Sequence, residues 1–104
     1  MIMQVYEGEH AIAPKLLCTI KERRVYEGDG SDETKVLYTI SGNKVYEGEY
    51  AIRNKLIYTL SENHVYEGEH VIDTKLKYTI SGKHVYEGEY AISSKLKYTL
   101  AEIG

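Results

Sequence analysis

Hydrophobic and polar residues alternate along this chain in short bursts, and the bursts recur every twenty residues. Between 55 and 60, Leu56, Tyr58 and Leu60 alternate with Lys55, Ile57 and Thr59. A period of two carried by β-branched, aromatic and aliphatic residues predicts a strand. Val45, Tyr46 and Glu47 predict a second, shorter strand-like segment. Apolar residues never recur at helical spacing over a window of about eleven residues, so no helix is expected.

The same unit appears five times. Val-Tyr-Glu-Gly stands unchanged at 5–8, 25–28, 45–48, 65–68 and 85–88. A second block, Lys-(Leu/Val)-x-(Tyr/Cys)-Thr-(Ile/Leu), stands in step at 15–20, 35–40, 55–60, 75–80 and 95–100. A short fixed period predicts a repeat architecture. The units are 5–24, 25–44, 45–64, 65–84 and 85–104, within one domain spanning 1–104. What the copies share reads as strand, and what they vary reads as loop.

Between the two strand blocks lie Lys21–Arg24, Ser41–Lys44, Ser61–His64 and Ser81–His84. Gly42-Asn43 and Gly82-Lys83 suit a two-residue hairpin loop with positive φ at its first position. Glu22-Arg23 and Glu62-Asn63 suit it less well, so the turn type is expected to vary. The other connections carry turn formers: Ala13-Pro14, Ser31 to Thr34, Arg53-Asn54, Asp73-Thr74 and Ser93-Ser94.

Each unit is therefore two strands of about six or seven residues. The expected fold is all-β, an antiparallel meander of about ten strands built from five hairpins. With two-residue loops, Ile40 lies opposite Val45, Tyr38 opposite Glu47 and Leu37 opposite Gly48. Neither resulting face is purely apolar, which favours a single twisted sheet wetted on both sides over a sandwich. Two alternatives stand beside the meander. A β-solenoid would stack Glu7, Glu27, Glu47, Glu67 and Glu87 at about 4.8 Å, and such a ladder of like charges repels itself. A closed ten-strand barrel would pair the last strand with the first. The chain opens on Val-Tyr-Glu-Gly and stops soon after Tyr98-Thr99-Leu100. Its end strands therefore read as two halves of one hairpin, able to close a barrel or to join molecules into a ring or filament.

Composition narrows the picture. The chain has eleven Tyr but no Trp or Phe, which suits half-buried faces better than a dry core. Thirteen basic and sixteen acidic residues alternate, for a net charge of −3. No basic stripe exists for phosphates or anionic lipid, and no apolar run is long enough for a transmembrane helix. Nothing before the first unit reads as a signal peptide. Cys18 is the single cysteine, which excludes an internal disulfide and fits the cytoplasm.

Candidate chemistry is sparse. A glutamate repeated in every unit reads as a solubilising or cross-strand charge, because a catalytic centre needs unlike groups converging on one point. The glycine of Val-Tyr-Glu-Gly reads as a mid-strand bulge or as room for Tyr rings. His64 and His84 are one unit apart, and His64 and His70 are placed on one strand, too far apart for a shared metal. Cys18 takes the place of the strand Tyr with no base beside it. No cofactor is implied. The two tyrosine rows are the best candidate surface: Tyr6, Tyr26, Tyr46, Tyr66 and Tyr86, and Tyr38, Tyr58, Tyr78 and Tyr98. Within them Tyr46, Tyr66, Tyr86, Tyr58, Tyr78 and Tyr98 are the candidate binding residues, since Tyr surrounded by charge grips sugars, peptides or like surfaces.

Tyr-Glu-Gly-Glu-Tyr at 46–50 and 86–90, with Tyr-Thr-hydrophobe eight residues upstream, resembles the MORN repeat. The resemblance covers about half of each unit and implies successive β-hairpins in an elongated twisted sheet. This unit is shorter than that family's, and the Gly-Lys-x-x-Gly segment is absent. Residues 25–42 also resemble a bacterial tandem-repeat type with Tyr-x-Gly and Leu-Tyr-Thr-Ile-x-Gly. The expected function is a non-enzymatic structural or protein-interaction module, a homo-oligomer associating through sheet faces or edge strands. The alternative is a binding module whose Tyr/Glu face holds a carbohydrate or peptide.

Overall fold

The period-two segments form ten strands in the computed structural model, which describes residues 1–103. The first five are β1 (Ile2–Glu7), β2 (Leu16–Lys21), β3 (Arg24–Glu27), β4 (Val36–Ser41) and β5 (Lys44–Glu47). The rest are β6 (Leu56–Ser61), β7 (His64–Glu67), β8 (Leu76–Ser81), β9 (His84–Glu87) and β10 (Leu96–Ile103). Each strand pairs antiparallel with its neighbours in sequence, and β10 pairs with β1. The meander thus closes into a ten-strand barrel.

The hairpin registers follow the local reading. Tyr38 faces Glu47 and Ile40 faces Val45, while the Gly48 amide donates to the Leu37 carbonyl at 2.9 Å. The closing pair repeats this register, with Glu7 opposite Tyr98 and Val5 opposite Leu100. Closure replaces the single open sheet wetted on both sides, and also the elongated sheet that the MORN resemblance implied. With both edges paired to each other, one face turns to the barrel axis and the other turns outward.

Three local expectations change. Strands β3, β5, β7 and β9 are four residues long, not six or seven. The glycine after Glu47 ends the strand: Gly48 has φ 84°, and a Cβ there would meet nothing within 4 Å. Its role is a left-handed backbone that side chains disfavour, not room for a ring. Finally, the tight turns do not vary. Glu22 (φ 59°) and Glu62 (φ 56°) adopt the same positive φ as Gly42 and Gly82 (both 63°).

The long connections fold back over the outer face. Four of them contain a three-residue 3-10 turn, at Ala13–Lys15, Arg53–Lys55, Asp73–Lys75 and Ser93–Lys95, and Pro14 sits at the start of the first. These single turns are the only departure from an all-strand-and-loop chain among the described residues. In the second unit Asp32 takes over, accepting from the Thr34 amide at 3.1 Å and the Thr34 hydroxyl at 2.6 Å. Gly30 of that loop is buried with φ 78°, and a Cβ would lie 3.2 Å from Thr19 Cβ. The other four units carry His or Tyr at this position.

One clamp recurs in every unit. Thr19, Thr39, Thr59 and Thr79 donate from Oγ1 to the carbonyls of Gly28, Gly48, Gly68 and Gly88 at 2.7–2.8 Å. Thr99 does the same to Gly8 at 2.7 Å, across the closing pair. All five threonines are buried, and Thr19, Thr59 and Thr99 are the most enclosed side chains among the described residues, at 1–2% exposed. Their hydroxyls are satisfied, so burial carries no desolvation penalty for an orphaned donor. The result is a flat ring of 36 × 35 × 19 Å, with the barrel at its centre and the loops around it.

A non-glycine residue in left-handed backbone costs about 1–2 kcal/mol, and the unfolded-state entropy of glycine returns roughly half of that gain. Glu62→Gly is therefore expected to raise the unfolding free energy by about 0.5–1 kcal/mol in urea titration. No gain would show that the turn at Glu62 is unstrained.

Candidate functional site

Residues directly opposite each other on paired strands share a face. Val45, Tyr58, Leu60, Val65 and Glu67 are linked in this way by the pairings of β6 with β5 and β7. In all five units this face holds a Val ring, an Ile/Leu ring and a third ring of Tyr38, Tyr58, Tyr78 and Tyr98 completed by Cys18. The four phenols and the thiol line one cavity of about 410 Å³, together with Val5, Leu17, Leu37 and Glu27. That is within the usual size for small-ligand sites. Ten strands make a wider tube than the eight that side chains just fill. The axial side chains are accordingly mostly half-buried, with only Val25 and Val85 of the Val ring below a tenth exposed.

A β-bulge in every unit shapes the mouth. Val45 pairs with Tyr58 but Tyr46 pairs with Leu56, which leaves Ile57 as the extra residue. Bulges re-aim side chains, and Leu17 and Leu37 at the equivalent positions line the cavity beside Cys18 and Tyr38. Around the ring the bulge residues are Leu17, Leu37, Ile57, Lys77 and Lys97, so one arc is apolar and the other basic. An exposed carboxylate stands opposite each ring residue: Glu27 faces Cys18, Glu47 faces Tyr38, Glu67 faces Tyr58, Glu87 faces Tyr78 and Glu7 faces Tyr98. Lys35 approaches Glu27 at 3.9 Å with both side chains more than half exposed, a contact worth little in water.

Burial, then the neighbouring Tyr98 phenol, pushes Tyr78 up to about 12, with Tyr58 and Glu87 adding to it. Tyr38 is raised in the same direction by burial first, then by Tyr58, Cys18, Glu47 and Tyr98. Tyr78 and Tyr98 meet edge to face, with ring centroids 6.1 Å apart and planes at 63°. Burial also raises the Cys18 thiol. The ring therefore offers hydroxyls, aromatic surface and a thiol, with Tyr38, Tyr78 and Cys18 each pushed away from ionisation.

Of the residues singled out from the sequence, Tyr58, Tyr78 and Tyr98 are brought together here, with Tyr38 and Cys18 added. Tyr46, Tyr66 and Tyr86 are not. They lie on the outward face opposite Thr39, Thr59 and Thr79, among the long connections: Ala51, Arg53 and Lys44 share a hollow with Tyr46. His64 and His84 meet Tyr66 and Tyr86 edge to face at 6.2 Å. His70 lies beyond the end of β7, in the loop, and not on the strand of His64. Among the described residues no group of three His, Cys, Asp or Glu is placed to hold a metal ion. Tyr38 belonged to a visible row, and Cys18 was visible as the one break in it; what the row could not show is that it bends into a ring.

A larger hollow, about 670 Å³, lies outside the barrel between Lys21, Arg23, Arg24 and Glu33. Its best-placed cation is already engaged, since Lys21 Nζ donates to the Gly30 carbonyl at 2.7 Å and meets Glu33 at 3.3 Å. Nothing there converges as the phenols do. A protonated, half-enclosed thiol should react slowly. Cys18 in the folded protein is expected to react with iodoacetamide at pH 7 at least about tenfold more slowly than in the urea-unfolded chain; equal rates would place it outside the ring.

Residues 5–102 match the family described as 6-fold beta flower protein, and the chain belongs to that family. The description counts six, whereas this chain closes its ring with five units. No curated protein and no solved structure matches it. Among the described residues no helix is long and apolar enough to cross a membrane.

Proposed function

We propose that this five-unit member of the beta flower family is a non-enzymatic binding module, and that its site is the tyrosine-lined cavity on the barrel axis. The observation that carries the reading is the convergence of Tyr38, Tyr58, Tyr78 and Tyr98 on one space of about 410 Å³. Aromatic walls with a few fixed hydroxyls are the usual lining of a small-molecule site, and tyrosine presents a large rigid surface at low entropic cost. The absence of catalysis in this reading rests on the chemistry of the ring: four like phenols and one thiol that burial pushes away from ionisation, while Glu27, the carboxylate opposite that thiol, is exposed and lies 3.9 Å from Lys35. The ligand is a small molecule or the end of a carbohydrate or peptide. A reducing compartment, the cytoplasm, suits the single thiol of Cys18.

The reading predicts where ligands strike. In a fragment screen with the Tyr rings isotopically labelled, hits are expected to shift the ring signals of Tyr38, Tyr58, Tyr78 and Tyr98 together. Those of Tyr46, Tyr66 and Tyr86 should stay still. Tyr78→Ala should weaken the best hit by about tenfold or more, as base or ring stacking on one aromatic is worth about 1–3 kcal/mol. Hits scattered over the outer rows, or none on the inner ring, would sink the proposal.

One observation favours self-association as a second reading. Four of the five long connections expose an apolar pair or triplet, including Ile12, Tyr50, Ile52, Val71, Ile72, Tyr90 and Ile92, at 48–65% exposure. Closure leaves no free strand edge, so association would run through these loops. A dimer or larger species in sedimentation at about 100 µM, returned to monomer by Ile52→Ser with Ile92→Ser, is the expected outcome if apolar loop contacts drive it. A monomer throughout would end this second reading.

A further inference from the structure

Resting on the axial cavity as the binding site, we infer that its ligand is an alkylammonium cation: a positively charged, methylated or primary amine head with an apolar arm. Three features of the cavity point the same way. The first is the wall. Four tyrosines surround one axis, and a cation among aromatic rings is attracted by their π-faces, the more so as it is desolvated. The phenols also offer hydroxyl oxygens to a polar head.

The second feature is the rim. Glu7, Glu27, Glu47, Glu67 and Glu87 stand one opposite each ring residue, and Glu27 itself lines the cavity. These carboxylates have lysines beside them: Lys35 is 3.9 Å from Glu27, and Lys75 and Lys77 share a hollow with Glu67 and Glu87. Among the residues that line the cavity itself, however, Glu27 is the one charged group, so at the phenols a cation is favoured over an anion. The carboxylates are exposed, so salt screens their pull, and they contribute steering and a modest preference more than tight affinity.

The third feature is the break in symmetry. Cys18 is shorter than the tyrosine that every other unit places there. Leu17 and Leu37 line the cavity beside that notch, and Lys77 and Lys97 occupy the equivalent positions in the fourth and fifth units. A ligand with a cationic head among the phenols thus has one apolar exit for its arm, over Cys18, Leu17 and Leu37. A neutral sugar uses the ring surface but neither the rim charge nor the apolar arc.

The test uses the whole protein and four probes, three that share a six-carbon chain (hexyltrimethylammonium, 1-hexanol and hexanoate) and tetramethylammonium as the head without the arm, each titrated at low salt against the labelled Tyr rings. The inner-ring signals are expected to saturate with hexyltrimethylammonium at a concentration roughly tenfold lower than with 1-hexanol, the ratio that cation–π attraction of about 0.5–2 kcal/mol brackets. Hexanoate should give no saturable shift, and added salt should weaken the cations but not 1-hexanol. Leu17→Ser with Leu37→Ser, both at exposed positions, should bring hexyltrimethylammonium down to the level of tetramethylammonium. Glu47→Gln should weaken both cations and leave 1-hexanol unchanged. If 1-hexanol or hexanoate binds the inner ring as tightly as the cation, the inference falls and the cavity stands as a site for another ligand class. If none of the four probes moves the inner ring, the inference and the cavity reading fall together.

Discussion

The antiparallel pairing of β10 with β1 is the constraint on which the rest of this structure depends. It repeats at the ends of the chain the register that each hairpin has within itself, Glu7 opposite Tyr98 as Glu47 is opposite Tyr38. A row of identical hairpins has no inside until that pair forms. Once it forms, one face of the sheet encloses an axis, and every residue on that face acquires four counterparts pointing at the same line. The pair also removes both open edges, which in a sheet of this length would be templates for aggregation.

Closure alone would leave the outer face bare. The chain covers it with its own connections, and the device is the same in each unit. Glycine after Val-Tyr-Glu turns the backbone out of the strand through a positive φ, and the buried threonine hydroxyl holds the carbonyl of that glycine. Lys44 extends the clamp, donating to Thr59 Oγ1 at 3.3 Å and to the Glu69 carbonyl at 2.9 Å. A chain with no Trp or Phe thus reaches order without a thick apolar core. It wraps a sheet between an axial ring of half-buried side chains and a collar of loops.

The invariant residues turn out to be scaffold, and individuality sits where the copies differ. Gly30 lets the second loop press against Thr19, a position that a side chain would crowd. Cys18 opens the tyrosine ring on one side. Leu17, Leu37 and Ile57 against Lys77 and Lys97 give the mouth an apolar arc and a basic one. A five-fold ring of identical units would have no preferred direction for a ligand to lie. Cys18, Leu17 and Leu37 supply one, side by side in the lining of a single cavity.

The sequence by itself determined the unit: its two strand blocks, though not the length of the shorter one, the two-residue turns, the hairpin register and the alternation that puts Tyr58 and Tyr66 on opposite faces. These follow from contacts between residues close in the chain, where a period of two and turn chemistry act directly. Some local details escaped it, because Glu22 and Glu62 are held in left-handed backbone by the register of strands already paired on either side. The tertiary structure alone decided closure, and with it the site. Bulge offsets and twist accumulate over ten strands, and no single residue encodes their sum. Whether Tyr38, Tyr58, Tyr78 and Tyr98 form a flat row or a ring, and whether Cys18 is a blemish in that row or the notch of a cavity, depends on that sum.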